Sequence, residues 1–536
     1  MLVVPTSRII LLKNPIEIDY MNELTFSSKQ SQFNYFYNLP KIECNEATYQ
    51  RKDGVVRFPT DPHMEGIIYD DLIQYNYCMY QNDKWSNKWF YAFVKNVTFD
   101  NPGMSYITLE TDVWQSWCFD ITFKNSFIER EHVNDDTLGL HTIPEGLELG
   151  EYIVNDHTHE DYNTDTTVIM GTTIDPNDKV YYGGATYTGI PSCLRYYRYD
   201  NIGSGANPDQ NTLMYAIKQL QEGYGESINT VFVAPKWICG GNTSNIPVTP
   251  TNTVPYQNIF IQRMTALDTY VPRNKKLLTF PYCYILVSNA QGQATTYRQE
   301  VWDDTQFGMN LRMQGCLTPS CSIRIFPIEY NGCTLNYDEG LTLGKFPQLN
   351  WYTDLYTNWL TQNGISLGAV KLNAEQSGYL GGIINTGLGI ASLSAGNPHG
   401  FENIGSGIGG ILSTMQETYR HSLMSPTISG SLNAGDVISA TGINCFHFFK
   451  MSIREEYAEI IDKYFDMYGY KVNKLKNPNI FGRTNWNYIK TIGCNIIGDI
   501  PQEDIEKIKE IFNRGVTMWH NPSTFLDYSQ SNTIIT

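Results

Sequence analysis

The sequence predicts a mixed α+β, β-rich fold, in which antiparallel β domains carry an inserted hydrophobic hairpin and end in a ferredoxin-like β-α-β-β-α-β unit. Charged residues make up 17% of the chain and aromatic residues 13%, a balance that favours strands and polar-aromatic contact surfaces. The stretch Gly378–Met415 is apolar and rich in glycine, and Glu402 is its only ionised side chain. The residues after this stretch show clear alternation of strand and helix signals.

A chain of 536 residues exceeds the size that one hydrophobic core usually supports, so several domains are expected. We predict four segments, namely an N-terminal β domain (1–133), a middle β-rich domain with long loops (134–362), a hydrophobic Gly-rich insertion (363–444) and a C-terminal unit (445–536). We expect the C-terminal unit to pack with the N-terminal domain.

Composition excludes some classes of function. Lys and Arg number 38 and Asp and Glu number 55, which gives a net charge of −17, and a surface of this sign repels phosphate rather than binding nucleic acid. The 11 cysteines include no C-x-x-C pair, so we interpret them as free thiols in a protein assembled in a reducing cytoplasm. Pro5, Arg8 and Lys13 interrupt the apolar N-terminus, and we expect no export signal.

The N-terminal domain contains a predicted antiparallel hairpin. Runs of β type at Trp89–Phe99 and Ser105–Trp114 flank the turn sequence Asn-Pro-Gly at 101–103. Both faces of the first run are apolar for part of its length, since Tyr91 and Phe93 alternate with further apolar residues. We therefore expect both faces of this strand to be covered.

The sequence of the middle segment predicts short strands between long loops. The clearest runs of β type are Thr167–Met170, Thr230–Val233 and Tyr282–Val287. One helix is predicted over Pro208–Glu222, because Asn207 can cap it and Pro suits a first turn.

The insertion has the pattern of a hydrophobic hairpin. Its two apolar arms, Tyr379–Ala395 and Ile404–Met415, flank a polar break at Asn397–His399 that has turn chemistry. As a helix the first arm would be about 25 Å long, which is short of a bilayer core of about 30 Å. Glycines at G-x-x-x-G spacing, such as Gly378 with Gly382, are typical of close helix contacts in membranes.

Composition alone favours a buried hairpin or a flexible linker over a membrane-active segment, and both alternatives stay open at this point. The candidate membrane-active residues are the glycines and large apolar residues of the two arms. They are Gly378, Tyr379, Leu380, Gly381, Gly382, Ile383, Ile384, Leu388, Ile390, Leu393, Ile404, Ile408, Ile411, Leu412 and Met415.

The C-terminal unit has the most regular pattern. Its predicted elements are strand Phe446–Ile453, helix Arg454–Tyr468, strand Tyr470–Leu475, strand Trp486–Ile497, helix Pro501–Arg514 and strand Val516–His520. The order β-α-β-β-α-β is that of a ferredoxin-like unit.

The sequence gives no positive evidence of an enzyme or a cofactor. Gly405, Gly407 and Gly410 match G-x-G-x-x-G but lack the surrounding βαβ pattern, so a chance match explains them. His157 and His159 could share a strand face as metal ligands, with Asp156, Glu160 and Asp161 as acidic neighbours. No further ligand can be identified, and we interpret 156–161 as a solvated acidic loop. We predict no catalytic, cofactor-binding or metal site.

Two parts of the chain resemble a known family. The first comprises Asn87–Val94 (NKWFYAFV) and Glu110–Val133, and the second is Tyr464–His520, which contains YGYKVN, KNPN, WNYIKT and IFNRGVTMWH. In the same order, these segments resemble those of the tail knob, or distal tail tube, proteins of small short-tailed bacteriophages (podoviruses) that infect Gram-positive bacteria.

The resemblance implies a virion structural protein at the distal end of the tail. It implies that the antiparallel β domains, including the N-terminal domain at 1–133, are tube- or barrel-forming. The resulting homohexameric tube would bind other tail proteins and eject viral DNA without binding it specifically. It also implies that a hydrophobic loop of each subunit plugs the lumen and later penetrates the host cell membrane. The insertion at 363–444 stands where such a loop is expected, although the loop's individual residues do not carry over. The alternatives are a receptor-binding or baseplate-like adhesin and a wall-degrading tail enzyme.

Overall fold

The computed structural model describes most of the chain outside the insertion. The described residues are 7–47, 53–60, 67–82, 87–162, 165–181, 183–204, 207–221, 224, 227–239, 246–247, 252–303, 308–317, 320–348 and 444–535. The predicted insertion at 363–444 lies outside them except for Asn444, and so does the G-x-G-x-x-G match. The chain forms two compact units, of which unit 1 is Met1–Glu145 with Asp462–Thr536 and unit 2 is Gly146–Ile461. The segment boundaries at 133, 362 and 444 remain predictions.

The described residues in the N-terminal part of unit 1 form nine strands and three short helices. The strands are β1 (Ser7–Leu12), β2 (Asn22–Leu24), β3 (Lys41–Ala47), β4 (Val55–Pro59), β5 (Tyr77–Asn82), β6 (Trp89–Asn101), β7 (Met104–Thr111), β8 (Ile121–Phe123) and β9 (Ser126–Glu131). The helices are α1 (Lys29–Tyr37), α2 (Tyr69–Leu72) and α3 (Val113–Trp117). Six of the strands form one sheet in the order β3-β1-β5-β6-β7-β4. The predicted hairpin around 101–103 is confirmed, because β6 and β7 pair antiparallel.

Both faces of this sheet are covered, as the apolar pattern of β6 predicts. Phe90 and Ala92 pack in one core cluster with residues of β1, β4 and β7. Tyr91 and Phe93 point to the opposite face, where they pack in a second cluster that also contains Trp486 from the C-terminal part of the unit. The C-terminal part of unit 1 therefore shares a core with the N-terminal sheet.

Unit 2 contains fifteen strands among its described residues. They are β10 (Tyr152–Asp161), β11 (Thr166–Thr172), β12 (Ala185–Tyr187), β13 (Ile190–Ser192), β14 (Arg195–Tyr199), β15 (Ile228–Pro235), β16 (Ile246–Pro247), β17 (Tyr256–Ile261), β18 (Cys283–Ser288), β19 (Ala294–Tyr297), β20 (Met309–Cys316), β21 (Ser322–Tyr330), β22 (Cys333–Leu335), β23 (Leu341–Leu343) and β24 (Cys445–Ile453). Its short helices are α4 (Leu213–Gln221) and α5 (Lys236–Cys239). The three predicted middle strands correspond to β11, β15 and β18 and are confirmed.

Three sheets of four or more strands organise unit 2. Their orders are β10-β24-β18-β19, β15-β11-β14-β16 and β17-β20-β21-β22, and β23 also pairs with β21. Helix α4 packs on the second sheet through Leu213 and Ile217. The predicted start of this helix at Pro208 is wrong, because the helix begins at Leu213 after Thr212, whose Oγ1 accepts a hydrogen bond from the N–H of Tyr215 at 3.4 Å.

The C-terminal elements form close to their predicted bounds, but they do not form a ferredoxin-like unit. After β24 come α6 (Glu455–Tyr468), β25 (Tyr470–Lys476), β26 (Trp486–Ile492), β27 (Ile496–Gly498), α7 (Gln502–Arg514) and β28 (Val516–Trp519). Strand β24 joins a sheet of unit 2, whereas β25, β26 and β28 join the unit 1 sheet β2-β28-β26-β9-β25. The ferredoxin-like prediction is therefore wrong, since β9 pairs between β25 and β26 and replaces their direct pairing.

Candidate functional site

The candidate site is the place where the chain leaves for the insertion and returns from it. On the outgoing side, β23 is followed by Gly344 and the buried side chain of Phe346, and Gln348 is the last described residue. On the returning side, the description resumes at Asn444, which leads directly into β24. We call the residues that fix these two chain ends the insertion base, and all of them belong to unit 2.

One side chain ties both ends of the insertion base together. The Nε2 of Gln291 donates hydrogen bonds to the carbonyl oxygen of Gly344 at 2.6 Å and to Oδ1 of Asn444 at 3.2 Å. Its Oε1 accepts a hydrogen bond from the N–H of Gly344 at 3.1 Å. A single amide therefore closes the loop that contains the whole insertion.

The turn between β18 and β19 holds Gln291 in position. Oδ1 of Asn289 accepts hydrogen bonds from the N–H groups of Gln291 at 2.9 Å and Gln293 at 3.1 Å, as an Asx turn does. Nδ2 of Asn289 donates to the carbonyl oxygen of Thr342 at 2.8 Å. Gly292 has φ of 95°, which a residue with a side chain rarely adopts. The turn thus presents Gln291 in one fixed geometry.

The two chain ends have further anchors. The carbonyl oxygen of Pro347 accepts a hydrogen bond from the N–H of Val233 at 2.8 Å. Asn444 is fully buried, and its carbonyl oxygen accepts from the N–H of Tyr162 at 3.3 Å. Its Nδ2 is buried without a hydrogen-bond partner among the described residues. The insertion base is therefore an ordered part of unit 2.

The histidines singled out from the sequence lie beside the insertion base. Residues 156–161 form part of edge strand β10 and not a loop, so the loop interpretation is wrong. His159 pairs directly with His447 of β24, and Nε2 of His157 lies 2.9 Å from Nδ1 of His447. The Sγ of Cys445 lies 3.0 Å from the other ring nitrogen of His447. The missing neighbours thus come from β24, which sequence spacing could not indicate.

Burial favours the neutral forms of two members of this cluster, Cys445 and His447. Burial raises the pKa of the Cys445 thiol to about 12, with the charge of Asp161 adding to the effect. Burial also lowers the pKa of His447 to about 4, and the neighbouring His157 and His159 lower it further. We therefore assign Cys445 as a donor to Nε2 of His447, whose Nδ1–H donates to His157.

The structure gives the possible metal ligands that the sequence analysis considered no common site. Successive side chains along a strand point to opposite faces, so Asp156 and Glu160 lie on the face opposite His157. Within the part of the chain that the structure describes, no three His, Cys, Asp or Glu side chains are grouped to hold a metal ion. Likewise, none of the described helices is both long and apolar enough to span a membrane. The candidate membrane-active residues from Gly378 to Met415 lie outside the described residues.

Sequence reasoning missed the residues of the insertion base. Asn289 and Gln291 belong to the segment SNAQGQ, whose Asn and Gly indicate a turn. Nothing in that segment shows that Gln291 contacts residues as distant in sequence as Gly344 and Asn444. The only available signal was that a turn follows a strongly apolar strand.

Comparison with known proteins supplies the family. Residues 245–533, more than half of the chain, match the model of the C-terminal domain of tail knob protein gp9 from Bacillus phage phi29. Residues 5–124 match the N-terminal region of caudoviral major tail proteins. The two matches together cover parts of both units.

Individual relatives agree with this match along the whole chain. The tail knob protein gp9 of Bacillus phage PZA is 26% identical over 95% of this chain and 96% of its own length. The gp9 protein of phage phi29 is 26% identical with the same coverage, and that of phage B103 is 25% identical over 97% of both chains. These relatives are named as tail knob proteins, in line with the prediction that the chain is a structural protein and not an enzyme.

A solved structure supports the fold. The tail knob protein gp12 of bacteriophage C1 matches 99% of this chain and 100% of its own, with a TM-score of 0.66 at 16% identity. At this level of identity the match shows the fold alone. The family match identifies the protein itself. The protein belongs to the family of phage tail knob proteins that includes gp9 of Bacillus phage phi29, and it is a structural component of the virion tail that binds other tail proteins.

Proposed function

We propose that the protein forms the distal tail tube of a podovirus, a homohexameric conduit through which the genome leaves the virion. Membership of the tail knob family is the observation that carries this proposal. The net charge of −17 suits a conduit, because an acidic wall repels the phosphate backbone and lets DNA pass without specific binding. Assembly in the host cytoplasm fits the cysteines, since no disulfide forms within the part of the chain that the structure describes.

An exposed apolar row in unit 1 supports a subunit interface. Phe127 of β9 pairs with Leu475 of β25 on one side and with Ile492 of β26 on the other. Leu475 is 69% exposed and Ile492 is 59% exposed. Three apolar side chains in register across adjacent strands form a patch of the kind that interfaces cover. In a closed ring, head-to-tail contacts would cover this patch in every subunit.

The insertion at 363–444 would act as the membrane-active loop of the tube. Its apolar arms would lie together in the lumen before ejection, where copies from several subunits hide one another from water. They would then move out and penetrate the host cell membrane. The insertion base supports this role, because Gln291 of unit 2 contacts both Gly344, which precedes the insertion, and Asn444, its last residue.

Deletion of residues 378–415 tests the proposal. The shortened protein should still form six-fold rings with an axial channel by electron microscopy, and it should fail to release dye from liposomes. Leakage equal to that of the full chain would exclude the membrane role. Monomers or trimers of the full chain would exclude the hexameric tube.

A further inference from the structure

A cleft in unit 2 lies between edge strand β10 and strand β17 of a neighbouring sheet. It has a volume of about 270 Å³, close to the lower end of the range for small-molecule sites. The lining residues combine two aromatic rings with several hydrogen-bonding groups. They are Asp156, Thr158, His159, Glu160, Ile259, Phe260, Ile261, Gln262, Phe448 and Lys450.

The apolar part of the cleft includes two phenylalanine rings. Phe448 is 2% exposed and forms part of the buried floor, while Phe260 is 50% exposed beside it. Gly308 leaves room for the ring of Phe260, since a Cβ at position 308 would lie 2.2 Å from its Cζ. An exposed aromatic face can contact the C–H groups of a ring-shaped ligand.

The polar part of the cleft supplies both hydrogen-bond donors and hydrogen-bond acceptors. Asp156 and Lys450 pair across β10 and β24, and their charged atoms lie 3.0 Å apart. Thr158 and Glu160 follow on the same face of β10, and Gln262 lies opposite them at the end of β17. Carboxylates accept hydrogen bonds, an ammonium group donates them, and hydroxyl and amide groups do both. This mixture matches a ligand with several hydroxyl groups.

The charge and the volume of the cleft limit the class of ligand that it can bind. Lys450 balances Asp156, so Glu160 leaves the cleft with excess negative charge that disfavours phosphates and other anions. The volume admits one small ring and not a polymer chain. We propose that this cleft binds a single neutral sugar ring, such as the terminal residue of a surface glycan. The proposal is independent of the membrane-active loop, because every lining residue is outside the insertion.

Saturation-transfer NMR on the full chain tests the proposal with methyl β-glucoside and N-acetylglucosamine as probes. At least one sugar should bind saturably, with a dissociation constant of roughly millimolar order, as expected of a small ligand with few contacts. Phe260→Ala and Glu160→Gln should each weaken binding about tenfold or more. Tyr256→Ala is the matched control, since it removes an exposed aromatic ring of β17 that does not line the cleft.

Thr158→Val, at an exposed position of β10, provides a second variant if Phe260→Ala does not fold. Unchanged thermal unfolding of each variant shows that any lost binding is local. Three results would overturn the proposal: no saturable binding of either sugar, equal loss of binding in Tyr256→Ala, or tighter binding of glycerol phosphate than of both sugars.

Discussion

The backbone N–H of Tyr488 donates a hydrogen bond of 2.7 Å to Nδ1 of His132. The other ring nitrogen, Nε2, lies 3.0 Å from the carbonyl oxygen of Asp466 and must donate to it. The ring is 2% exposed, and both nitrogens are satisfied only while the imidazole is neutral. Burial therefore lowers the pKa of His132 to about 3, and the charge of Arg483 lowers it further.

This arrangement predicts that acid destabilises unit 1. In the unfolded chain the pKa of histidine is about 6.5, so the unfolded state binds a proton first as the pH falls. Stability should be complete above pH 6.5 and should decrease as the pH falls towards 3, by about 4 kcal/mol for His132. His520, whose burial lowers its pKa to about 4, acts in the same direction.

Urea unfolding of the wild type and of His132→Gln at pH 7, 5 and 4 checks this expectation. The glutamine of the variant cannot take up a proton. The variant should be less stable than the wild type at pH 7, and the difference should shrink as the pH falls. A difference that is constant with pH would show that His132 does not cause the acid sensitivity.

Gln291→Ala should loosen the insertion base. The substitution removes three hydrogen bonds and leaves polar groups of Gly344 and Asn444 without this partner. The expected loss is about 1 to 3 kcal/mol, with faster proteolysis near 344 and 444. Limited proteolysis and thermal unfolding measure both effects. Gln257→Ala, at an exposed position of β17, is the control, and equal cleavage of the two variants would contradict the role of Gln291.

Each sequence signal acts over a limited separation along the chain, and this separation explains which parts of the fold could be predicted. Local patterns placed β6, β7, α6 and α7 correctly, because apolar periodicity and the glycines at helix ends act between near neighbours. The same patterns could not show that β9 separates β25 from β26, since strand pairing depends on partners from distant parts of the chain. The contacts of Gln291 and of His447 were beyond prediction for the same reason.

Gly469→Ala should destabilise unit 1 strongly. Gly469 ends α6 with φ of 62°, a conformation that costs an L-residue about 1 kcal/mol. A Cβ at this position would also lie 2.2 Å from the carbonyl oxygen of Glu131, and this backbone atom is held by the pairing of β9. We expect a loss of at least about 3 kcal/mol in urea unfolding, from strain and overpacking together.

The Gly493→Ala variant separates the cost of backbone strain from the cost of steric crowding. Gly493 has φ of 73°, and no atom lies within 4 Å of its added Cβ, so only the strain of about 1 kcal/mol applies. Equal losses for Gly469→Ala and Gly493→Ala would show that the contact with Glu131 has no energetic importance.

Ile492→Asp should impair assembly without unfolding the subunit. Ile492 is 59% exposed in the single chain, so a charge costs little there, whereas in an interface the carboxylate would be desolvated without a partner. Analytical ultracentrifugation should show at least a tenfold weaker association. Ile497→Asp, at a 50% exposed position outside the apolar row, is the control. Rings of unchanged stability in Ile492→Asp would exclude the row as an interface.

Ile383→Asp places a charge in the first arm of the insertion and tests membrane activity with a single residue. A carboxylate in the hydrocarbon core costs about 2 to 4 kcal/mol per copy, and a ring of subunits would multiply that cost. We expect dye release from liposomes to fall well below that of the wild type. Ile383→Val keeps the arm apolar and should retain leakage. Rings of both variants should form equally, because position 383 is remote in sequence from the residues of the insertion base. Equal leakage by the two variants would mean that this arm does not enter the bilayer.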